Sequence, residues 1–185
     1  MNANTLSGIL FFVAYVPYLL AIVQRETVPS PVSWIIWACV DTLTFLAMRK
    51  ANAPTGQIKG TVAGAWVIVL LSLYYGSATM GTIEWVSIVG GVTGIALWKK
   101  TRKPVLAIIC AQLATFLGSL PTIANAYQNP SQESALAWSI WLASCICALF
   151  AVKKWDIEQA LQPLTFTLIE ATMVFLVVIR PHLSF

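Results

Sequence analysis

Seven apolar stretches separated by short polar segments run the length of the chain: Leu6 to Gln24, Val32 to Met48, Gly60 to Gly76, Ile83 to Trp98, Val105 to Tyr127, Ala135 to Val152 and Pro163 to Ile179. A helix needs roughly 17 to 25 apolar residues to span a bilayer, and most of these lie near the lower end, which predicts little tilt or a thin membrane. The first stretch has no basic segment before it, so it reads as a retained helix and not as a cleaved signal.

The pattern is written twice. Gly8 to Lys50 aligns without a gap on Gln112 to Lys154 at an offset of 104, with nine identities in 43 positions. They include Pro17 on Pro121, Gln24 on Gln128, Trp34 on Trp138 and Trp37 on Trp141, rare residue types at fixed spacing. Carried onto the third stretch, the same offset sets Thr61 on Thr165 and Trp66 on Glu170. The predicted fold class is therefore an all-α membrane protein with seven transmembrane helices as 3+1+3. Residues 1–76 form the first three-helix repeat, 77–103 a linker helix and 104–185 the second repeat. An odd linker crossing lets two copies insert with the same orientation, related by an axis along the membrane normal. Gly90-x-x-x-Gly94 in the linker reads as a close helix-packing surface.

Composition agrees, with 58% hydrophobic residues against 10% charged. Basic residues are unevenly placed: Arg49, Lys50, Lys59, Lys99, Lys100, Arg102, Lys103, Lys153 and Lys154 fall on the side of the N-terminus, and only Arg25 and Arg180 on the other. By the positive-inside rule this predicts a plasma (inner) membrane protein with a cytoplasmic N-terminus and an external C-terminus. The net charge of +4 is mostly this asymmetry and does not indicate nucleic-acid binding. Cys39, Cys110, Cys145 and Cys147 lie within predicted helices as small apolar residues, and His182 stands alone near the end, so no cofactor and no metal site is expected.

Two acids fall deep in apolar stretches, Asp41 in the second and Glu170 in the seventh. A charged group at a helix centre costs on the order of 2.5 to 3.5 kcal/mol on insertion scales, so such acids mark a functional site or a proton relay. At about 100° per residue, Trp34, Trp37 and Asp41 share one stripe, matched by Trp138, Trp141 and Cys145. Trp37 and Trp141 are the deeper pair and read as walls of a solute pocket, while Trp34 and Trp138 read as an interfacial aromatic belt. Trp66 pairs with Glu170 as a further candidate for solute contact. Pro17 and Pro121 each withdraw a backbone donor inside a helix and are candidate hinges. Glu84 reads as interfacial.

The 3+1+3 order, the proline in helices 1 and 5, and P-x(16)-W-x-x-W in each half resemble the SWEET and PQ-loop superfamily of seven-helix membrane transporters. The chain departs from it at Pro17-Tyr18 and Pro121-Thr122, where that superfamily often has Pro-Gln. Trp66 and Glu170 also stand in the region where its sugar carriers have paired asparagines. The resemblance implies a solute pocket at mid-membrane between the two repeats, lined by the tryptophans of helices 2 and 6. The expected function is transport of a small polar or aromatic solute by alternating access, with Asp41 and Glu170 binding it or coupling protons. The alternative is a non-transporting receptor, chaperone or scaffold on the same fold. No histidine cluster, nucleophile-and-base pair or phosphate loop points to an enzyme, and no lysine in helix 7 offers a retinal Schiff base. The expected partners are a small-molecule solute and the lipid bilayer, with self-association into a homo-oligomer left open.

Overall fold

The computed structural model describes residues 2–76, 81–101 and 103–183, with the side chains of several residues in 83–107 left aside. Within them run seven α-helices and no strand: α1 Ala3–Val23, α2 Pro31–Lys50, α3 Gly56–Tyr75, α4 Thr82–Thr101, α5 Pro104–Gln128, α6 Ala135–Ala151 and α7 Ile157–Val174. A π-helical turn, Phe175–Ile179, prolongs α7. Five helical segments are long and apolar enough to cross a membrane: Ala3–Val23, Pro31–Lys50, Gly56–Tyr75, Ile108–Gln128 and Ile157–His182. The apolar α6, with 17 residues, is shorter. Five such helices point to a membrane protein. Arg102 and the side chains of Glu84, Gly94 and Lys99 lie outside the described residues.

Side chains at the helix starts explain the boundaries. Asn2, Ser30, Ser134 and Asp156 each accept a hydrogen bond from the amide three residues on, satisfying one donor that the first turn leaves open. Ser30 and Ser134 are repeat partners, so the cap is duplicated with the helix it starts. The third and seventh helices begin at Gly56 and Ile157, ahead of their apolar stretches, because their first turns are polar and hydropathy does not register them.

α3 packs between α1 and α2, and α7 between α5 and α6; α1 then meets α6, α2 meets α5, and α4 lies against α5 and α2. Helices in lipid have little hydrophobic drive toward one another, so close packing and interhelical hydrogen bonds carry their association. The α1–α3 crossing shows the first of these. A Cβ added at Gly60 would stand 2.5 Å from the Gly8 carbonyl oxygen, and one at Gly64 would fall into the Tyr15 ring. Glycine at both lets the Tyr15 hydroxyl reach the Thr61 carbonyl oxygen, 2.9 Å away.

The third helices follow a different register from the first two. Buried Gln57, Thr61, Gly64, Ala65 and Ile68 correspond to buried Gln162, Phe166, Ile169, Glu170 and Met173, an offset of 105. At 104, buried Gly60 and Gly64 would instead meet exposed Leu164 and Leu168. The extra residue enters between the helices, since Gln57 follows Lys50 by seven positions and Gln162 follows Lys154 by eight. The partner of Glu170 is therefore Ala65 and not Trp66, and the Thr61–Thr165 pairing also falls.

Candidate solute site

A cavity of about 40 Å³ lies where α1, α2, α3, α5, α6 and α7 converge. At roughly 10 to 15 Å³ for one water it has room for about three water-sized groups. Trp37, Trp141, Asp41 and Glu170, singled out on separate helices, all line it. Trp66 does not: it faces outward, 45% exposed, with its indole N–H donating to Thr42 Oγ1 at 3.3 Å. The slip from 104 to 105 accounts for this, because one residue turns a helical position by about 100°.

The two deep tryptophans do more than wall the cavity. Trp37 Nε1 donates across to the Thr115 carbonyl oxygen at 3.1 Å, and Trp141 Nε1 to the Phe11 carbonyl oxygen at 3.0 Å. Thr115 stands 104 after Phe11, as Trp141 does after Trp37, so the same bond is made twice, once from each half. The indole N–H groups are thus committed to joining the halves, and only the ring surfaces face the cavity.

Trp34 and Trp138 are not a lipid-facing belt. Both are buried, both line the cavity, and Trp138 Nε1 donates to Glu133 Oε2 at 2.9 Å. The spacing of three from Trp37 and Trp141 puts them on the same inward stripe, which outweighs their nearness to the helix ends. Tyr18 packs on Trp34, Trp138 and Trp141 at ring-centre distances of 5.3, 6.4 and 5.2 Å, roofing the cavity toward the end opposite the N-terminus. The sequence did carry this signal. Phe11, Tyr15 and Tyr18 recur at the spacing of one helix face, and their repeat partners Thr115, Ser119 and Thr122 form a hydroxyl stripe on α5. One wall is aromatic where its twin is polar.

Toward the N-terminal end a polar layer closes the space. One turn from Thr61 and Phe166, which line the cavity, Gln162 Nε2 donates to Gln57 Oε1 at 2.9 Å and Gln57 Nε2 to Cys145 Sγ at 3.0 Å. Ser144 Oγ donates to the Ser7 carbonyl oxygen at 2.7 Å beside them. Beyond this layer a recess of about 450 Å³ opens between the start of α1 and the α2–α3 and α6–α7 connections. The cavity is therefore roofed by aromatic rings at one end and floored by paired amides at the other.

Asp41 and Glu170 are 1% and 6% exposed, and Asp41 Oδ1 and Glu170 Oε2 have no hydrogen-bond partner. Among the described residues no Lys, Arg or His lines the cavity. Pro17 and Pro121 lie inside α1 and α5 as read from the sequence. The four cysteines are free thiols, and no group of three or more His, Cys, Asp or Glu side chains is placed to hold a metal among the described residues. Comparison with protein-family models, curated proteins and solved structures finds no match.

Proposed function

We propose that this chain is a seven-helix membrane transporter of the SWEET and PQ-loop kind, moving a small polar or aromatic solute by alternating access. Two parallel three-helix units, α1–α3 and α5–α7, are joined by α4 as linker. The observation that carries this reading is the pair of symmetry-related indole bonds, Trp37 to Thr115 and Trp141 to Phe11, flanking a buried cavity lined by two carboxyls whose Asp41 Oδ1 and Glu170 Oε2 have no hydrogen-bond partner. A site at the interface of two repeats suits a carrier in which one unit rocks against the other. The neighbours support it, because the main contacts within and between the units recur in the exchanged pair: α1–α6 with α5–α2, α1–α3 with α5–α7, α2–α3 with α6–α7 and α3–α6 with α7–α2. Asp41 and Glu170 bind the solute or carry protons with it, and Pro17 and Pro121 serve as hinges.

The test is flux into proteoliposomes. Saturable uptake of a solute from a panel of sugars, amino acids, amines and vitamin precursors is expected, abolished by Trp37→Ala with Trp141→Ala. Asp41→Asn should change its affinity, rate or pH dependence. Absence of flux for every solute, from protein that remains folded, would replace this reading with a non-transporting receptor, chaperone or scaffold.

A further inference from the structure

The hydrogen-bonding groups of the cavity are unequally spent. Three of its four indole N–H groups already donate: Trp37 to Thr115, Trp141 to Phe11 and Trp138 to Glu133. The Tyr15 hydroxyl donates to Thr61. Left without a hydrogen-bond partner on residues that line the space are Asp41 Oδ1, Glu170 Oε2, the Thr115 hydroxyl and the Trp34 N–H. Two carboxyls, each with two acceptor oxygens, thus share a lining with two unspent donors, the Thr115 hydroxyl and the Trp34 N–H. An ionised carboxylate accepts only, so this inventory calls for a ligand that brings donors or a positive charge.

Charge points the same way. A buried carboxylate without a compensating partner is costly, and the lining provides no cationic side chain. The rest of the surface is aromatic. Phe11, Tyr15, Trp34 and Trp141 stand with ring centres 5.2 to 6.2 Å apart at mutual angles from 36° to 74°. Rings at these spacings pack on one another edge to face or tilted, and the faces they leave toward the space carry the negative side of the ring quadrupole. A cation over such a face is attracted to it, the more strongly once both are out of water, and ammonium groups are recognised in this way.

We propose that the cavity is a site for a small organic cation, an amine or quaternary ammonium group held by the carboxyls of Asp41 and Glu170 with its alkyl surface against the aromatic rings. The assignment rests on the transport reading above and narrows its solute from polar or aromatic to cationic. The volume of about 40 Å³ limits the occupant of this closed form to a compact head group. The Thr115 hydroxyl shares the lining with the aromatic rings of α1, so a solute with one alkyl side and one hydrogen-bonding side has a preferred orientation.

Matched pairs of probes separate charge from shape. Tetramethylammonium and tert-butanol share a skeleton and differ in charge, as do methylammonium and methanol. Purified full-length protein in detergent is melted with each probe and with glucose, since binding to the folded state raises the melting temperature by mass action. Uptake of tetramethylammonium into proteoliposomes is followed in parallel. The cations are expected to raise the melting temperature at concentrations at least tenfold below their neutral partners. Asp41→Asn or Glu170→Gln should weaken that effect at least tenfold. Neutral probes binding as well as the cations would overturn the cation assignment and leave a solute-binding transporter standing. Cation binding unchanged in both folded variants would overturn the site. No shift for any probe and no uptake of tetramethylammonium would overturn the cation site, and the transport reading would then stand or fall on the solute panel above. Where a variant does not fold, the wild-type comparison between a cation and its neutral partner decides alone.

Discussion

At Glu133, just outside the start of α6, burial and hydrogen bonding pull one carboxyl in opposite directions. Burial raises it from 4.5 to about 8, against the Trp138 N–H, which favours the charged form and lowers it. Burial wins because a single indole donor replaces several lost water contacts. The folded protein then keeps a proton that the unfolded chain releases above its ordinary value. This contribution to stability is complete below about 4.5, falls as pH rises toward about 8, and is absent above it. Glu133→Gln removes the titration but keeps an acceptor for Trp138. Melting temperature measured from about pH 4.5 to 8 should therefore fall more steeply in the wild type than in the variant. Parallel curves would mean that Glu133 is solvated in both states. The same contact explains why Trp138 points inward, since its N–H finds a carboxyl at the roof of the cavity and has no need of the lipid interface.

Helix packing depends on backbone approach at a few points, and glycine marks where. At Gly60 an added methyl group meets the backbone carbonyl of Gly8, which can yield only if α1 and α3 separate. At Gly90 it meets Leu117 Cδ1 at 2.6 Å, the far end of a side chain that can rotate away. Gly60→Ala is therefore expected to cost about 1 to 3 kcal/mol, as overpacking does in a tight core. Gly90→Ala should be neutral, or slightly stabilising through better helix propensity. Thermal melts of the two variants against wild type decide it, and equal losses would mean that contact with the moving side chain is as rigid as contact with backbone. Most elements were readable from the chain because apolar length alone marks a membrane helix, and the caps at Ser30 and Ser134 were repeated with it. The register of the third helices was not. One added residue before Gln162 leaves hydropathy unchanged but rotates every later side chain, which exchanged Ala65 for Trp66 as the partner of Glu170. The acids and the deep tryptophans were legible as polar or rare residues in apolar surroundings. The Gln57–Gln162 bond was not, since glutamines near helix ends are usually solvated and only the packing of α3 against its neighbours buries them.

Across the whole molecule, the two indole bonds are the contacts best placed to hold the halves around the cavity, because each runs from one repeat to the main chain of the other. Their energy is modest, about 0.5 to 1.5 kcal/mol for a net hydrogen bond. On the proposed alternating-access reading that is enough to shift the balance between closed and open forms roughly two- to tenfold, and too little to unfold the protein. The carbonyls of Phe11 and Thr115 sit inside helices, where the amide four residues on also bonds them, so Trp→Phe leaves no orphaned acceptor. Cys145 reports the outcome from inside: it is fully buried one turn from Trp141, against Gln57 of the other repeat. With Cys39, Cys110 and Cys147 replaced by alanine, alkylation of Cys145 by a small maleimide should be slow in the closed protein. It should quicken roughly two- to tenfold in Trp37→Phe or Trp141→Phe, and by about the product of the two in the double variant, as independent bonds across one interface require. Symmetry makes the demand sharper, since the two single variants should respond alike. A faster rate in Trp141→Phe alone would reduce the effect to local loosening around Cys145, whereas equal acceleration from Trp37, on the other repeat, requires the halves to part as units.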